Sequence, residues 1–157
     1  MGETASHSAM TPEAVEIWFP IEKDSEGYPQ SQDWEELWAT PVEGGSFRLD
    51  STPFFVKDIA AGDVIAAVRT EEGWHSFQKI ISRSGNSSFR IWLQDAVAHD
   101  SVKIVEALRR LGGHVETTLE RLIAINVSPD RENEVWAYLE AGRDRGDWGL
   151  QVGYSPD

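Results

Sequence analysis

An α+β fold is predicted for this chain from a change in pattern near residue 86. Residues 14–86 contain short stretches of alternating apolar and polar residues between glycine and proline turns, which is typical of a small β-barrel or sandwich. Residues 87–157 instead follow the order β-α-β-β-α-β, that of a ferredoxin-like unit. We therefore expect a β-rich half, a ferredoxin-like half, and a flexible polar tail at residues 1–13. Whether the two halves share one core is left open.

The strands of the first half are predicted from alternation and from turn residues. AVEIWFP alternates and ends at a proline, which predicts a strand. EELWATPV and SFRLDS flank Gly44-Gly45 and predict a hairpin. PFFVKDI and DVIAAVRT are predicted to be the next strands, with a positive φ at Gly62 and a carboxylate at Asp63 that accepts backbone N–H groups in the turn between them. WHSFQKIIS completes this half as a further strand.

In the second half, two helical patterns are inserted among four strands. FRIWL, HVETTLE, RLIAINV and WGLQVGY predict the strands. VKIVEALRRL predicts a helix with Ile104, Leu108 and Leu111 along one face, ended by Gly112-Gly113. A second helix is predicted to follow Ser128, with Val135 and Leu139 facing inward. This order would place both helices on one face of an antiparallel sheet.

The charge of the chain is strongly negative and unevenly placed. The sequence has 27 acidic and 14 basic residues, for a net charge of −13, and residues 1–45 hold ten acidic residues against one lysine. Such a surface repels phosphate backbones, so nucleic-acid binding is not expected, whereas a basic partner would be attracted. The alternative that the acidity only maintains solubility stays open. No cysteine is present, and no apolar stretch approaches the ~20 residues that cross a bilayer. We therefore expect a cytoplasmic protein without membrane contact.

A partner-binding surface is predicted where acidic residues surround a tryptophan in the first half. An exposed tryptophan among carboxylates would anchor a basic protein, although it could instead fold back over the core. Trp18, Trp38 and Trp92 lie in predicted strands and are expected to be buried in the core or between the halves. The predicted partner-binding residues are Glu22, Asp24, Glu26, Asp33, Trp34, Glu35 and Glu36.

The stretch SRSGNSS (82–88) is small, polar and rich in hydroxyl groups, as catalytic loops are, but its sequence context argues against catalysis. It lacks the GxSxG pattern and is followed by a strand, so neither a nucleophile turn nor a phosphate loop is indicated. Two alternatives stay open: a turn with left-handed Gly85 and Asn86, or a loop that binds an anionic ligand. The candidate ligand-binding residues are Arg48, Ser84, Gly85, Asn86, Ser87 and Arg90. No metal site is expected, because the chain lacks cysteine, paired histidines and an EF-hand pattern.

The motif string GYP…LWA…FRxD…PFF…GDV…SGNS resembles a bacterial family of small proteins known as a domain of unknown function. The similarity extends over about residues 15–150. The matching positions are Gly27, Tyr28, Pro29, Leu37, Trp38, Ala39, Arg48, Asp50, Pro53, Phe54, Phe55, Gly62, Asp63, Ser84, Gly85, Asn86, Ser87 and Arg90. The resemblance implies no activity, and it associates some members with toxin genes and an immunity-type role.

Together these patterns predict a non-enzymatic, acidic interaction protein. The expected partner is a basic protein such as a toxin, which an immunity-type inhibitor would cover, and no cofactor is expected. The alternative is a small-ligand or regulatory domain with a pocket between the two halves. Catalysis would require Asp50, Asp63 and His75 to converge in a cleft, and their spacing does not demand that.

Overall fold

The protein has a mixed α+β fold, as predicted. The computed structural model describes residues 13–23, 33–117 and 121–156, and these ranges contain nine strands in two sheets and two α-helices. The predicted flexible tail lies outside them apart from residue 13. The strands of the first sheet are β1 (Val15–Pro20), β2 (Trp34–Val42), β3 (Ser46–Leu49), β4 (Val64–Arg69) and β5 (His75–Ser82).

The first sheet closes on itself. Its strands pair in the order β1-β2-β3-β4-β5, and β1 pairs with β5 as well as with β2. The β1–β5 pairing is parallel, whereas the other neighbours are antiparallel. The predicted hairpin is confirmed: β2 and β3 are joined by a 3₁₀ turn at Glu43–Gly45, and both Gly44 and Gly45 have positive φ.

The second sheet has the strand order β7-β8-β6-β9. In chain order, the second half consists of β6 (Ser87–Leu93), a 3₁₀ turn (Asp95–Asp100), α1 (Ser101–Arg110), β7 (His114–Thr117), β8 (Leu122–Val127), a 3₁₀ turn (Pro129–Arg131), α2 (Glu132–Arg145) and β9 (Trp148–Tyr154). The predicted inner faces of both helices are confirmed, since Ile104 and Leu108 of α1 and Val135 and Leu139 of α2 are buried in one apolar cluster.

Side chains alternate between the two faces of strand β6, and the two faces meet different surroundings. Phe89, Ile91 and Leu93 point toward the helices and belong to the apolar cluster of the second half. Ser88 and Arg90 point to the opposite face, where they meet the chain between β3 and β4. The face of the second sheet that carries no helix therefore presents Ser88 and Arg90 to the first half.

The chain between β3 and β4, residues 50–63, is called here the joining segment. The sequence predicts a strand over PFFVKDI within it, and this prediction is wrong, because no residue between Leu49 and Val64 has strand structure. The buried carboxylate of Glu35 on β2 instead accepts the backbone N–H groups of Phe54, Phe55 and Val56, at 2.7, 3.0 and 2.9 Å. One side chain thus provides the acceptors that a neighbouring strand would have supplied.

The second half binds the same segment from the other side. The guanidinium of Arg90, 1% exposed, donates to the carbonyl oxygens of Val56 and Phe55, at 2.8 and 2.9 Å, and to the side chain of Gln151 on β9 at 2.8 Å. Burial lowers the pKa of Arg90 to about 10, and the negative charge of Glu35 acts in the opposite direction. Arg90 is therefore still charged at neutral pH.

The turn that ends the joining segment is built as the sequence predicts. Gly62 has a φ of 92°, and the buried Asp63 carboxylate accepts the backbone N–H groups of Ala60 and Ser84, at 3.0 and 2.9 Å. A Cβ at Gly62 would lie 2.9 Å from the Cβ of Ser84, so the glycine also permits this loop to approach the SGNS stretch.

The two halves have separate apolar clusters. In the described residues, the first cluster contains Ile17, Phe19 and Leu37 and also includes Val56 and Ile59 of the joining segment, whereas the second is built from β6–β9 and the helices. Hydrogen bonds cross between the halves, for example from the Ser88 hydroxyl to the carbonyl oxygen of Ile59 at 2.8 Å. The apolar side chains of the joining segment thus pack in the core of the first half, whereas its backbone carbonyl groups accept hydrogen bonds from the second half.

Replacing Glu35 should destabilise the protein. In Glu35→Gln, three backbone N–H groups share one neutral acceptor, and the charge near Arg90 is lost, so we expect the free energy of unfolding to fall by about 2–4 kcal/mol. Urea unfolding measures this change. The control is Glu36→Gln, an identical replacement at the next, exposed position, which should alter stability by less than about 0.5 kcal/mol. Equal effects of the two variants would contradict the role of Glu35.

Candidate functional site

The outer surface of the β1–β2 pair combines tryptophans with carboxylates. Residues directly opposite each other in an antiparallel pair project on the same face, and here Glu16 is opposite Trp38, while Trp18 is opposite Glu36. Trp74, next to β5, packs against this surface, with its ring centroid 4.5 Å from that of Trp18. We call this surface the Trp/Glu face; it consists of Glu16, Trp18, Trp34, Glu36, Trp38 and Trp74.

The Trp/Glu face leaves much aromatic surface open to solvent. Trp34 is 44% exposed and Trp38 is 49% exposed, and Trp34 touches Trp74 edge-on with 6.2 Å between ring centroids. The prediction that Trp38 and Trp92 are buried is wrong, because Trp92 is also 44% exposed, and Trp18 is half-buried. Alternation explains this placement: on β2, Leu37 and Ala39 occupy the inward positions, so Trp38 must point outward.

The predicted acidic surface is only partly formed by the residues named for it. Glu22 and Asp33 are exposed, and Asp33 forms an ion pair with Lys23 at 3.0 Å. Asp24 and Glu26 lie outside the described residues. The placement of Glu35 on this surface is corrected, because it shares the inward face of β2 with Leu37 and binds the joining segment.

The two carboxylates of the Trp/Glu face affect each other. The pKa of Glu36 is raised, first by partial desolvation and then by the negative charge of Glu16 and a hydrogen bond with it. Two carboxylates held among indole rings favour the approach of a positive group. Glu16 and Trp74 were not singled out from the sequence, although the alternation of Glu16 with Ile17 already indicates an outward position.

The SGNS stretch acts mainly as a support for the joining segment. The Ser84 hydroxyl lies 3.0 Å from Asp63 Oδ1 and 3.1 Å from the carbonyl oxygen of Ala61, to which the Asn86 amide also donates at 2.9 Å. Gly85 has the predicted positive φ, whereas Asn86 does not. The predicted left-handed turn is therefore confirmed at Gly85 alone, and the Ser84 and Asn86 side chains are directed toward protein atoms.

Two residues of the predicted ligand loop require correction. Ser87 is fully buried, and its hydroxyl donates to Glu132 on α2 at 2.6 Å. Arg90 is buried and uses its guanidinium to hold the joining segment. Neither side chain is presented to a ligand, because each already binds protein groups.

A cleft of about 750 Å³ lies between the two halves. Arg48 and Asn86, both among the predicted ligand residues, line it from the first half, and Arg109, His114 and Asn126 line it from the second. Its volume is in the range of small-molecule sites. The last three residues were missed by the sequence analysis, since only the packing of the second sheet against the first half brings them to Arg48.

Two groups of the kind that hydrolases use, the His75 ring and the Ser84 hydroxyl, are engaged with other side chains. The ring of His75 lies against Phe47, 5.2 Å between centroids, and the Ser84 hydroxyl is bonded to Asp63, so these two groups are not paired as base and nucleophile. Within the described ranges, no three His, Asp or Glu side chains are gathered in the way a metal ion requires. Neither α1 nor α2 has the length and apolar character needed to cross a membrane.

Comparison with known proteins shows which family this fold represents. The model of the family described as "Domain of unknown function (DUF4265)" matches residues 35–150. The chain belongs to the DUF4265 family. The membership predicted from the motif string is thereby confirmed. No curated protein matches the chain.

A solved structure shares the fold of this DUF4265 chain. It is a crystal structure of a hypothetical protein from Neisseria gonorrhoeae, which is 19% identical and superimposes with a TM-score of 0.71. The similarity covers 91% of this chain and 98% of the other. At this identity, the comparison shows the architecture and carries no information about activity.

Much of the motif string noted in this sequence maps onto the joining segment and its supports. PFF supplies the N–H groups bound by Glu35, GDV supplies the turn at Asp63, and SGNS holds the carbonyl oxygen of Ala61. These motifs thus describe the connection between the halves.

Removing the charge of Glu16 should lower the pKa of Glu36. In Glu16→Gln the neighbouring negative charge is gone, so the pKa of Glu36 should move toward its ordinary value, while the part due to desolvation persists. NMR titration of the Glu36 side-chain carboxyl carbon measures this shift. An unchanged pKa would show that the two carboxylates do not interact.

The raised pKa of Glu36 also has a defined effect on stability. The folded state holds the Glu36 proton more tightly than the unfolded state does. This difference adds to the free energy of unfolding at pH values below the ordinary pKa of a glutamate. The contribution is lost as the pH rises through the pKa of Glu36 in the folded state.

Proposed function

We propose that this protein is a non-enzymatic interaction protein that binds a basic protein partner through the Trp/Glu face. The observation that carries the proposal is the alternation of tryptophans and glutamates on the exposed side of β1 and β2. Large aromatic side chains that stay in contact with water are typical anchors of protein interfaces. Carboxylates beside them select lysine or arginine as the group that fits between the rings.

The overall charge supports the same role. A net charge of −13 accelerates the approach of a basic protein, and the Trp/Glu face adds a local site where that approach ends. The pKa of Glu36 is raised by desolvation and, second, by the charge of Glu16, and a cation between the two carboxylates would relieve their repulsion. Inhibition of a basic toxin by an immunity-type protein is one form of this role, in which the Trp/Glu face covers the toxin surface.

We infer that two rigid units hold this face in place. The closed five-stranded pairing supports a small barrel for the first half, and the order β7-β8-β6-β9 with two crossover helices supports a ferredoxin-like second half. Binding energy is not spent on ordering the strands, because β1 and β2 already belong to the closed sheet. We also propose a cytoplasmic location, which the cysteine-free composition favours.

A charge reversal on the Trp/Glu face should weaken the binding of a basic probe. The probe is a capped hexa-arginine peptide at low ionic strength, and its affinity is measured by tryptophan fluorescence. For Glu36→Lys we expect the affinity to fall by about tenfold, since a favourable charge pair becomes a repulsive one.

The matched control for this charge reversal is Glu106→Lys. It changes the net charge equally at an exposed position on α1, and it should alter the affinity by less than about twofold. Equal losses in the two variants would mean that the peptide senses net charge alone, and the docking proposal would then be rejected.

The contribution of aromatic rings to peptide binding is tested at two tryptophans of similar exposure. Trp38→Ala should weaken binding of the same peptide by about threefold to tenfold, because a cation contact with the indole ring is lost. Trp92→Ala, which removes a similarly exposed ring from the second sheet, should leave the affinity unchanged. If Trp92→Ala were the more damaging variant, the binding surface would lie on the other half.

A further inference from the structure

The cleft between the halves contains a buried hydrogen-bond donor that has no partner in the described part of the chain. Asn126 on β8 is 3% exposed and lines the cleft. Its Oδ1 accepts the backbone N–H of Ala61 at 2.9 Å, which fixes the orientation of the amide. The Nδ2 group, with two N–H donors, is left without an acceptor among the described residues. Buried donors of this kind are rare in folded proteins and carry a free-energy penalty, so an external acceptor would relieve the site.

Each carboxylate that lines the cleft accepts a hydrogen bond from the protein, and each guanidinium group of the cleft retains unused N–H donors. Glu116 accepts the backbone N–H of Thr52 at 2.8 Å, and Asp50 accepts the hydroxyl of Thr40 at 2.6 Å. Arg48 has a long contact of 3.8 Å with Asp50 through Nε, and Arg109 donates one bond, at 3.3 Å, to the carbonyl oxygen of Val115. Most N–H donors of both arginines are therefore open to a ligand.

We propose that this cleft binds a small molecule carrying an anionic oxygen group, either a carboxylate or a phosphate. The Asn126 amide and the guanidinium groups of Arg48 and Arg109 all line the cleft and can donate to such oxygens. The anion is bound across the two halves, because Arg48 belongs to the first and the other two residues belong to the second. This site is separate from the Trp/Glu face, and either proposal can fail without the other.

The test is an NMR titration of the full chain with inorganic phosphate and with citrate, at constant ionic strength set by chloride. The Asn126 side-chain N–H signals report directly on the proposed donor. We expect saturable shifts of these signals and of Arg48 Nε–H, with one of the two probes binding more tightly and so identifying the class of anion. Shifts that do not saturate at tens of millimolar with either probe would overturn the proposal.

Three variants separate ligand binding from structural damage. Asn126→Asp keeps the oxygen that accepts from Ala61 but replaces the free donors with a negative charge, so binding should be lost while the fold, monitored by the remaining backbone signals, is retained. Arg48→Gln should weaken binding by about tenfold. Arg121→Gln, an exposed arginine paired with Asp95 away from the cleft, is the control and should bind as the wild type does. If Arg48→Gln and Arg121→Gln behaved alike, the anion would be bound elsewhere.

Discussion

The structure depends on satisfying the backbone of the joining segment without a neighbouring strand. A buried N–H or C=O group that lacks a partner costs as much as a lost hydrogen bond, so residues 50–63 need a full set of partners. Glu35 provides acceptors from the first half, and Arg90 provides donors from the second. Because these two side chains carry opposite charges, each also reduces the cost of burying the other. The position of one half relative to the other follows from this arrangement.

Both candidate sites follow from the same alternation of side chains along strands. On β2, the inward turn of Glu35 toward the joining segment is what directs Trp34 and Glu36 outward to the Trp/Glu face. On β8, Asn126 lies on the face that meets the first half, opposite Ser88 of β6, and one end of its amide is used to hold Ala61. The other end faces the cleft. The side-chain alternation that forms the contact between the halves thus also positions both candidate sites.

Local sequence pattern was sufficient for most elements of the fold and insufficient for the sites. Both helices and the β2–β3 hairpin depend on periodicity and turn residues that are close in sequence, and they were predicted. The failed strand at PFFVKDI has suitable strand residues, but its backbone partners come from Glu35 and Arg90, which are distant in sequence. Its position in a predicted strand made Trp38 look like a core residue, and an acidic neighbourhood made Glu35 look exposed. Alternation along the strand predicts both positions better: Glu35 is two residues from the buried Leu37 and points inward with it, whereas Trp38 is one residue away and points outward.

The polar contact between the halves affects how the chain behaves during synthesis. The first half leaves the ribosome before β6 exists, with the peptide groups that Arg90 will bind still hydrated. The surface of the second half that meets the joining segment carries the polar side chains of Ser88, Arg90 and Asn126. An incompletely synthesised or transiently opened molecule therefore exposes polar side chains at this contact. Self-association through it is disfavoured for that reason.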